Sequence, residues 1–197
     1  MNKLITAFMI LSITTGYSVF AETVKIDTNH SKIEWMGGKK LLNDTHKGTL
    51  LFKSGTLVFK NNALVSGELN VDMHSLKNTD IENPKYKQKL VGHLKNSDFF
   101  HVEKYPKATF KFDTVKKLKN NQYKLTGLMK IKNKTNKETV TITLKKQKKT
   151  WSGSGKITID RSKYDVRYGS DSFFDNLGDK VIKNEIELTL DVKTKAS

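Results

Sequence analysis

Alternation of apolar and polar residues with a period of two, repeated along most of the chain, limits the possible folds more than any other feature. Val65, Gly67, Leu69, Val71 and Met73 alternate with Ser66, Glu68, Asn70 and Asp72. Ala108, Phe110 and Phe112 alternate with Thr109, Lys111 and Asp113, and Tyr123, Leu125, Gly127, Met129 and Ile131 repeat the pattern. Val140, Ile142 and Leu144 do so against threonines, and Ile186, Leu188, Leu190 and Val192 against Glu185, Glu187, Thr189 and Asp191. Successive strand side chains point to opposite faces, so each run reads as a strand with one dry and one wet face.

Further strands are expected from Ser31 to Gly37, Gly48 to Lys53, Thr56 to Lys60 and Gly155 to Asp160. Lys53-Ser54-Gly55, Lys60-Asn61-Asn62 and Lys119-Asn120-Asn121 read as turns between strands. Strands with a single apolar face suit closure into one barrel better than a stack buried on both sides, and closure leaves no open edge. The expectation is an all-β protein: a closed antiparallel β-barrel of about eight strands.

One helix interrupts the strands. Asn83 can cap it with Pro84 at its first position, and Tyr86, Leu90 and Leu94 follow at i, i+4 and i+8, with Val91 beside them. The bare aromatic pair Phe99-Phe100 and then Tyr105-Pro106 come next. Helix and aromatics form one insertion of about 25 residues between Met73 and Ala108, a length typical of lids and binding loops.

The first twenty-one residues read as a secretory leader: Lys3, an apolar stretch from Leu4 to Val19, and a small residue at a cleavage point after Ala21. Residues 22–197 then form one domain of an exported protein, periplasmic or secreted, with no later segment apolar enough to span a bilayer. Cysteine is absent, which excludes disulfides and thiolate chemistry. The net charge of +16 raises the question of a polyanion partner. It is almost all lysine, arginine occurring only at 161 and 167, whereas phosphate recognition favours the guanidinium fork. The lysines alternate with other residues along the strands, which reads as scattered solvent-facing charge and no nucleic-acid site.

Motifs for chemistry are weak. Five histidines, at 30, 46, 74, 93 and 101, lack zinc-site spacing, although Asp98 and His101 could meet on one turn. No metal or other cofactor is expected. His30-Ser31 resembles a base and nucleophile, but strand neighbours point apart and no nucleophile elbow accompanies them. Trp151-Ser-Gly-Ser-Gly155 lacks the lysine and hydroxyl of a phosphate loop and reads as an ordinary loop. Asp171 with Asp175, and Glu185 with Glu187, read as solvated charge. No acid and base pair emerges, so an enzyme is not expected.

The remaining signal is aromatic and apolar. Phe99, Phe100, Tyr105, Phe110, Phe112, Phe173 and Phe174 fall in two segments. They can plug a barrel end, or line the mouth of a barrel wide enough for one apolar ligand.

These residues also carry a resemblance. Ile26-Asp27-x-x-His30-Ser31, Val71-x-Met73-x-Ser75-Leu76 and the long run from Leu94-Lys95-x-Ser97-Asp98-Phe99-Phe100 through Val102 and Tyr105-Pro106 to Ala108-x-Phe110 resemble the YceI-like polyisoprenoid-binding family. Tyr123-x-Leu125-x-Gly127, Ile159-Asp160-Arg161-Ser162-x-Tyr164 and Asp179-x-Val181 agree in order and spacing. Where the family tends to have a Gly-Val-Thr-Lys turn, this chain has Asn133-Lys134-Thr135-Asn136, asparagine being tolerant of a left-handed backbone.

The resemblance implies an exported bacterial protein with a lipocalin-like barrel that holds a polyisoprenoid or similar long-chain lipid and has no catalytic residues. Transport, storage or stress protection are the roles it suggests. The tail is expected against Trp35, Val71, Met73, Leu90 and Leu94, against Phe99, Phe100, Tyr105, Phe110 and Phe112, and against Met129, Ile131, Ile142, Phe173 and Phe174. A polar head would need donors near the mouth: Arg161 first, then His30 and Lys104. The alternatives are an envelope-stress or structural protein with a fully packed barrel, and a hydrolase acting on a lipid amide or ester. Any edge left open would admit a homodimer.

Overall fold

The computed structural model describes residues 21–41 and 44–196, so the expected leader, apart from Ala21, lies outside them. The strands are β1 (Ala21–Lys25), β2 (Lys32–Gly38), β3 (Thr45–Lys60), β4 (Ala63–Asn78), β5 (Lys107–Lys117), β6 (Gln122–Ile131), β7 (Lys134–Gln147), β8 (Thr150–Asp160) and β9 (Glu185–Lys193). Helix α1 (Pro84–Lys95) stands between β4 and β5. β2 to β9 pair antiparallel with their sequence neighbours, and β9 returns to β2, closing an eight-stranded barrel.

β1 is half of a split stave. It pairs with residues 56–60 of β3, while β2 pairs with residues 45–51 of the same strand. Ile26 then bridges to Thr194, beyond the end of β9. The gap between the halves is closed by side chains. The Asp27 carboxylate accepts from the Asn29 amide at 3.1 Å and from His30 Nδ1 at 2.7 Å. The buried Ser31 hydroxyl accepts from the Lys193 amide at 2.9 Å and donates to its carbonyl at 3.3 Å, where a strand would place its own backbone. The Ile26-Asp27-x-x-His30-Ser31 motif is thus a device for breaking a stave without orphaning its partner.

Two hairpins turn on asparagine pairs in the left-handed region, Asn61-Asn62 (φ 50° and 61°) and Asn120-Asn121 (φ 55° and 57°), the geometry that matches strand twist. Between β6 and β7 the left-handed residue is Lys132 (φ 53°), one place before the expected asparagine. Lys53-Ser54-Gly55 is no turn: β3 runs through it with a register shift between Phe52 and Ser54. A second shift, between Val58 and Phe59, puts Leu64 in the core and leaves Val65 half-buried. Trp151-Ser-Gly-Ser-Gly155 is also strand, paired with residues 142–146 of β7.

The barrel has two unlike ends. At one, the hairpins around 61–62, 120–121 and 148–149 close over Phe59 stacked on Trp151, their ring centroids 4.4 Å apart. At the other, longer connections converge: residues 79–106 with α1, and residues 161–184 between β8 and β9. The second end holds the cavity.

Candidate functional site

Inward residues of every stave from β2 to β9 surround a cavity of about 310 Å3 that opens toward the α1 end. Trp35 belongs to β2, Leu50 and Phe52 to β3, Leu69, Val71 and Met73 to β4. Phe110, Met129 and Ile131, Val140, Ile157 and Ile159, and Leu188 and Leu190 continue around the ring. Trp35 can lie in the wall because its indole N–H donates to the Lys77 carbonyl at 3.1 Å, leaving its ring apolar toward the cavity.

The roof is α1 and the loop after it. The Asn83 side chain accepts from the Lys85 amide at 3.0 Å, with Pro84 at the first turn. Leu90 and Leu94 reach the cavity, yet no residue of the helix is buried. Tyr86, expected on the same stripe, is 62% exposed and points away. Phe99 is buried and Phe100 half-buried, and both line the cavity. The loop is fixed by backbone bonds from Phe100 to Leu94 (3.2 Å) and Val102 to Lys95 (2.8 Å), and by Lys95 Nζ donating to the His74 carbonyl at 2.6 Å. Asp98 meets His93 at 3.5 Å, whereas His101 stacks edge-on to Tyr105.

Polar groups appear only near the mouth. His46 lies between Asp80, 3.1 Å from its Nδ1, and Asp44, 3.6 Å from its Nε2, and Lys39 pairs with Asp44 at 3.5 Å. Arg161 is the most unusual of them, a guanidinium only 2% exposed that also lines the cavity. It donates to the carbonyls of Val166 (2.7 Å), Lys183 (3.0 Å) and Ile182 (3.1 Å) and lies 5.7 Å from the Phe99 ring centroid. Burial lowers its pKa to about 10, with Asp160 and Asp171 acting the other way. Three of its five N–H groups are thereby used, and among the described residues no carboxylate forms an ion pair with it.

The residues singled out from sequence divide cleanly. Trp35, Val71, Met73, Leu90, Leu94, Phe99, Phe100, Phe110, Met129, Ile131 and Arg161 line the cavity. Phe112 and Ile142 instead line a separate void of about 50 Å3 toward the closed end, because the strands continue past the cavity floor. Tyr105 packs on His101 under Lys104, outside both. Phe173 and Phe174 are exposed on the 161–184 connection, Phe173 beneath Arg167. Lys104 is exposed, and His30 is held by Asp27 at the stave break, so neither joins Arg161 at the mouth. Ile33, Leu76, Ile157, Ile182 and Ile186 also line the cavity. The alternation of the last strand signals Ile186, Leu188 and Leu190, whereas Asp44 and His46 carry no signal in the sequence.

An eight-stranded barrel with an apolar interior, a helical roof inserted between its third and fourth staves and a sequence match over residues 24–194 fixes the relationship. The chain belongs to the YceI-like domain family. Among solved structures, this YceI-like chain is similar to Burkholderia cenocepacia BcnA, with TM-score 0.68 and 23% identity over 86% of this chain and 99% of that one. It is also similar to a polyisoprenoid binding domain from Saccharophagus degradans implicated in plant cell wall breakdown, with TM-score 0.63 and 12% identity over 91% and 100%. The Campylobacter jejuni YCEI protein aligns with TM-score 0.55 and 18% identity over 97% and 92%. At these identities the solved structures establish the shared fold. No curated protein sequence matches the chain.

Proposed function

We propose that this YceI-like protein holds a polyisoprenoid or similar long apolar chain in its barrel and carries or stores it without altering it. The observation that supports this best is the cavity itself: about 310 Å3, walled by aliphatic and aromatic side chains, beneath a helix that buries no residue of its own. A helix in that condition gains apolar contact when a ligand fills the space below Leu90 and Leu94. Each methylene so buried contributes roughly 0.8 kcal/mol, so a chain ligand is retained without directed chemistry. The description of the Saccharophagus degradans domain as polyisoprenoid-binding supports the same class of ligand. The leader in the sequence supports export, with the mature protein periplasmic or secreted.

Arg161 is the head-group residue in this reading. Its charge faces the mouth of an apolar cavity with two N–H groups beyond those given to carbonyls, which suits an anionic or carbonyl oxygen.

Native mass spectrometry of gently purified protein tests the proposal. The expected spectrum shows a co-purifying apolar ligand of discrete mass that is released on unfolding. Protein that is ligand-free, and that does not take up added long-chain isoprenoid, would overturn it. Arg161→Lys, if folded, should keep an apolar tail but bind a phosphorylated isoprenoid more weakly; unchanged affinity would remove the head-group role.

A further inference from the structure

Residues 114–159 contain thirteen lysines and one acidic residue, Glu138. In the linear sequence these lysines look dispersed. The barrel gathers them, because this segment forms the end of β5, all of β6 and β7, and β8 short of its last residue, Asp160, on four consecutive staves. Lys124 and Lys156 flank Thr141 from either side, and Lys137 stands opposite Leu128. The β5–β6 and β7–β8 hairpins extend the face with Lys116, Lys117 and Lys119, and with Lys145, Lys146 and Lys148.

Glu138 lies on the face of β7 that also carries buried Val140, opposite to exposed Lys137, and accepts from the Tyr164 hydroxyl at 2.8 Å. Leaving Lys149 aside, none of these lysines forms an ion pair among the described residues. Lys132 instead donates to the Asp165 carbonyl, and Lys146 to Asn62. The acidic strand residues flank this wall: Glu187 and Asp191 on β9 beside β8, and Asp113 on β5 with Glu68 and Asp72 on β4 at the other margin, while Glu34 on β2 lies farther round the barrel.

We propose that the β6–β8 wall is a docking surface for anionic phospholipid, on which the barrel lies side-on. The chemistry selects that partner over a linear polyanion. The wall is a convex sheet of lysine and threonine with no groove to track a backbone. It presents no outward aromatic ring for base stacking and no guanidinium fork. Lysines spread in two dimensions, across strands about 4.8 Å apart, match a plane of head-group charges. Each lysine near an anionic bilayer contributes about 1 kcal/mol, and the whole effect is screened by salt. Leu128, 55% exposed in the middle of the wall, is the one large apolar side chain exposed on the described part of it, so attachment is electrostatic and reversible. The β6–β7 turn at Lys132 brings the mouth rim to the same edge. This inference does not depend on what fills the cavity.

Vesicle flotation of the purified protein tests it, with phosphatidylcholine vesicles compared to vesicles also containing phosphatidylglycerol, at low and high salt. Binding is expected only with phosphatidylglycerol and only at low salt. The triple variant Lys124→Glu/Lys137→Glu/Lys156→Glu should bind at least roughly tenfold more weakly, and the milder Lys→Gln triple should fall between. Lys47→Glu/Lys53→Glu/Lys77→Glu, the same charge change on β3 and β4, should bind far better than the first triple. Equal loss in both Glu triples would reduce the effect to net charge and overturn the docking face. So would failure of the native protein to float with phosphatidylglycerol vesicles, or equal flotation without that lipid. Retention on single-stranded DNA at salt that abolishes flotation would reassign the wall to a linear polyanion.

Discussion

Phe112 shows how single residues set the interior. It is 1% exposed in the closed half of the barrel, and its cross-strand neighbours on both sides, Gly67 and Gly127, have no side chain. A Cβ at Gly67 would stand 2.6 Å from the Phe112 ring, and one at Gly127 would overlap Phe112 Cα and the Lys111 carbonyl. Gly127→Ala should therefore destabilise the protein by about 2 kcal/mol or more in urea unfolding. Gly92→Ala on α1 is the contrast. Nothing lies within 4 Å of its Cβ position, so the gain is helix propensity, about 0.5–1 kcal/mol, read as slower amide exchange in the helix. At this scale the sequence was partly legible. Arg161 stood out as one of two guanidiniums, but its carbonyl partners at 166, 182 and 183 depend on how the 161–184 connection folds back. His30 looked available because sequence does not reveal which end of a strand faces the mouth.

Elements were more legible than their registers. Period-two alternation located nearly every strand, and Asn83-Pro84 located the helix, because these signals are local. The register shifts in β3 and β4 were not legible, since a bulge is decided by the opposing strand. One element also carries a titratable anchor. Asp80, where the chain leaves β4 for α1, accepts from the Lys47 amide at 3.2 Å and from the Asn78 side chain, with His46 at 3.1 Å. Partial burial raises its pKa, but the hydrogen bonds from His46, Lys47 and Asn78 outweigh it and leave the carboxyl below its usual range. A lowered carboxyl stabilises the fold fully above its unfolded pKa, about 3.9, and that contribution is lost as pH falls through the lowered value. Amide protection at residues 81–95, taken relative to the intrinsic exchange rate at each pH, should therefore fall on acidification into that range, before that of the rest of the barrel. Asp80→Asn should flatten the difference.

For the whole molecule, the architecture was legible because closure follows from one-faced strands, while the lining was legible on strands, on the helix stripe at Leu90 and Leu94 and at Phe99-Phe100, but not on the long connection after Arg161. Phe173 and Phe174 belong to the 161–184 connection, whose path no periodicity predicts, and they lie outside the cavity. Phe173→Ser/Phe174→Ser should leave any co-purifying ligand in place by native mass spectrometry, whereas Leu90→Ser/Leu94→Ser should deplete it. Charge segregation also escaped a linear reading, because adjacency of β6, β7 and β8 around a ring turns spacing along the chain into density on one side.

The two voids in the barrel share Leu69, Phe110, Val140 and Leu190 in their linings. If the cavity holds a tail as proposed, that shared ring would act as a ruler: a tail entering beneath α1 would extend until its terminal methyls met Phe110, and the partition would grade ligands by length. Shortening Phe110 to alanine would join the spaces and move the preferred ligand toward longer chains, visible as a higher mass carried by the same fold.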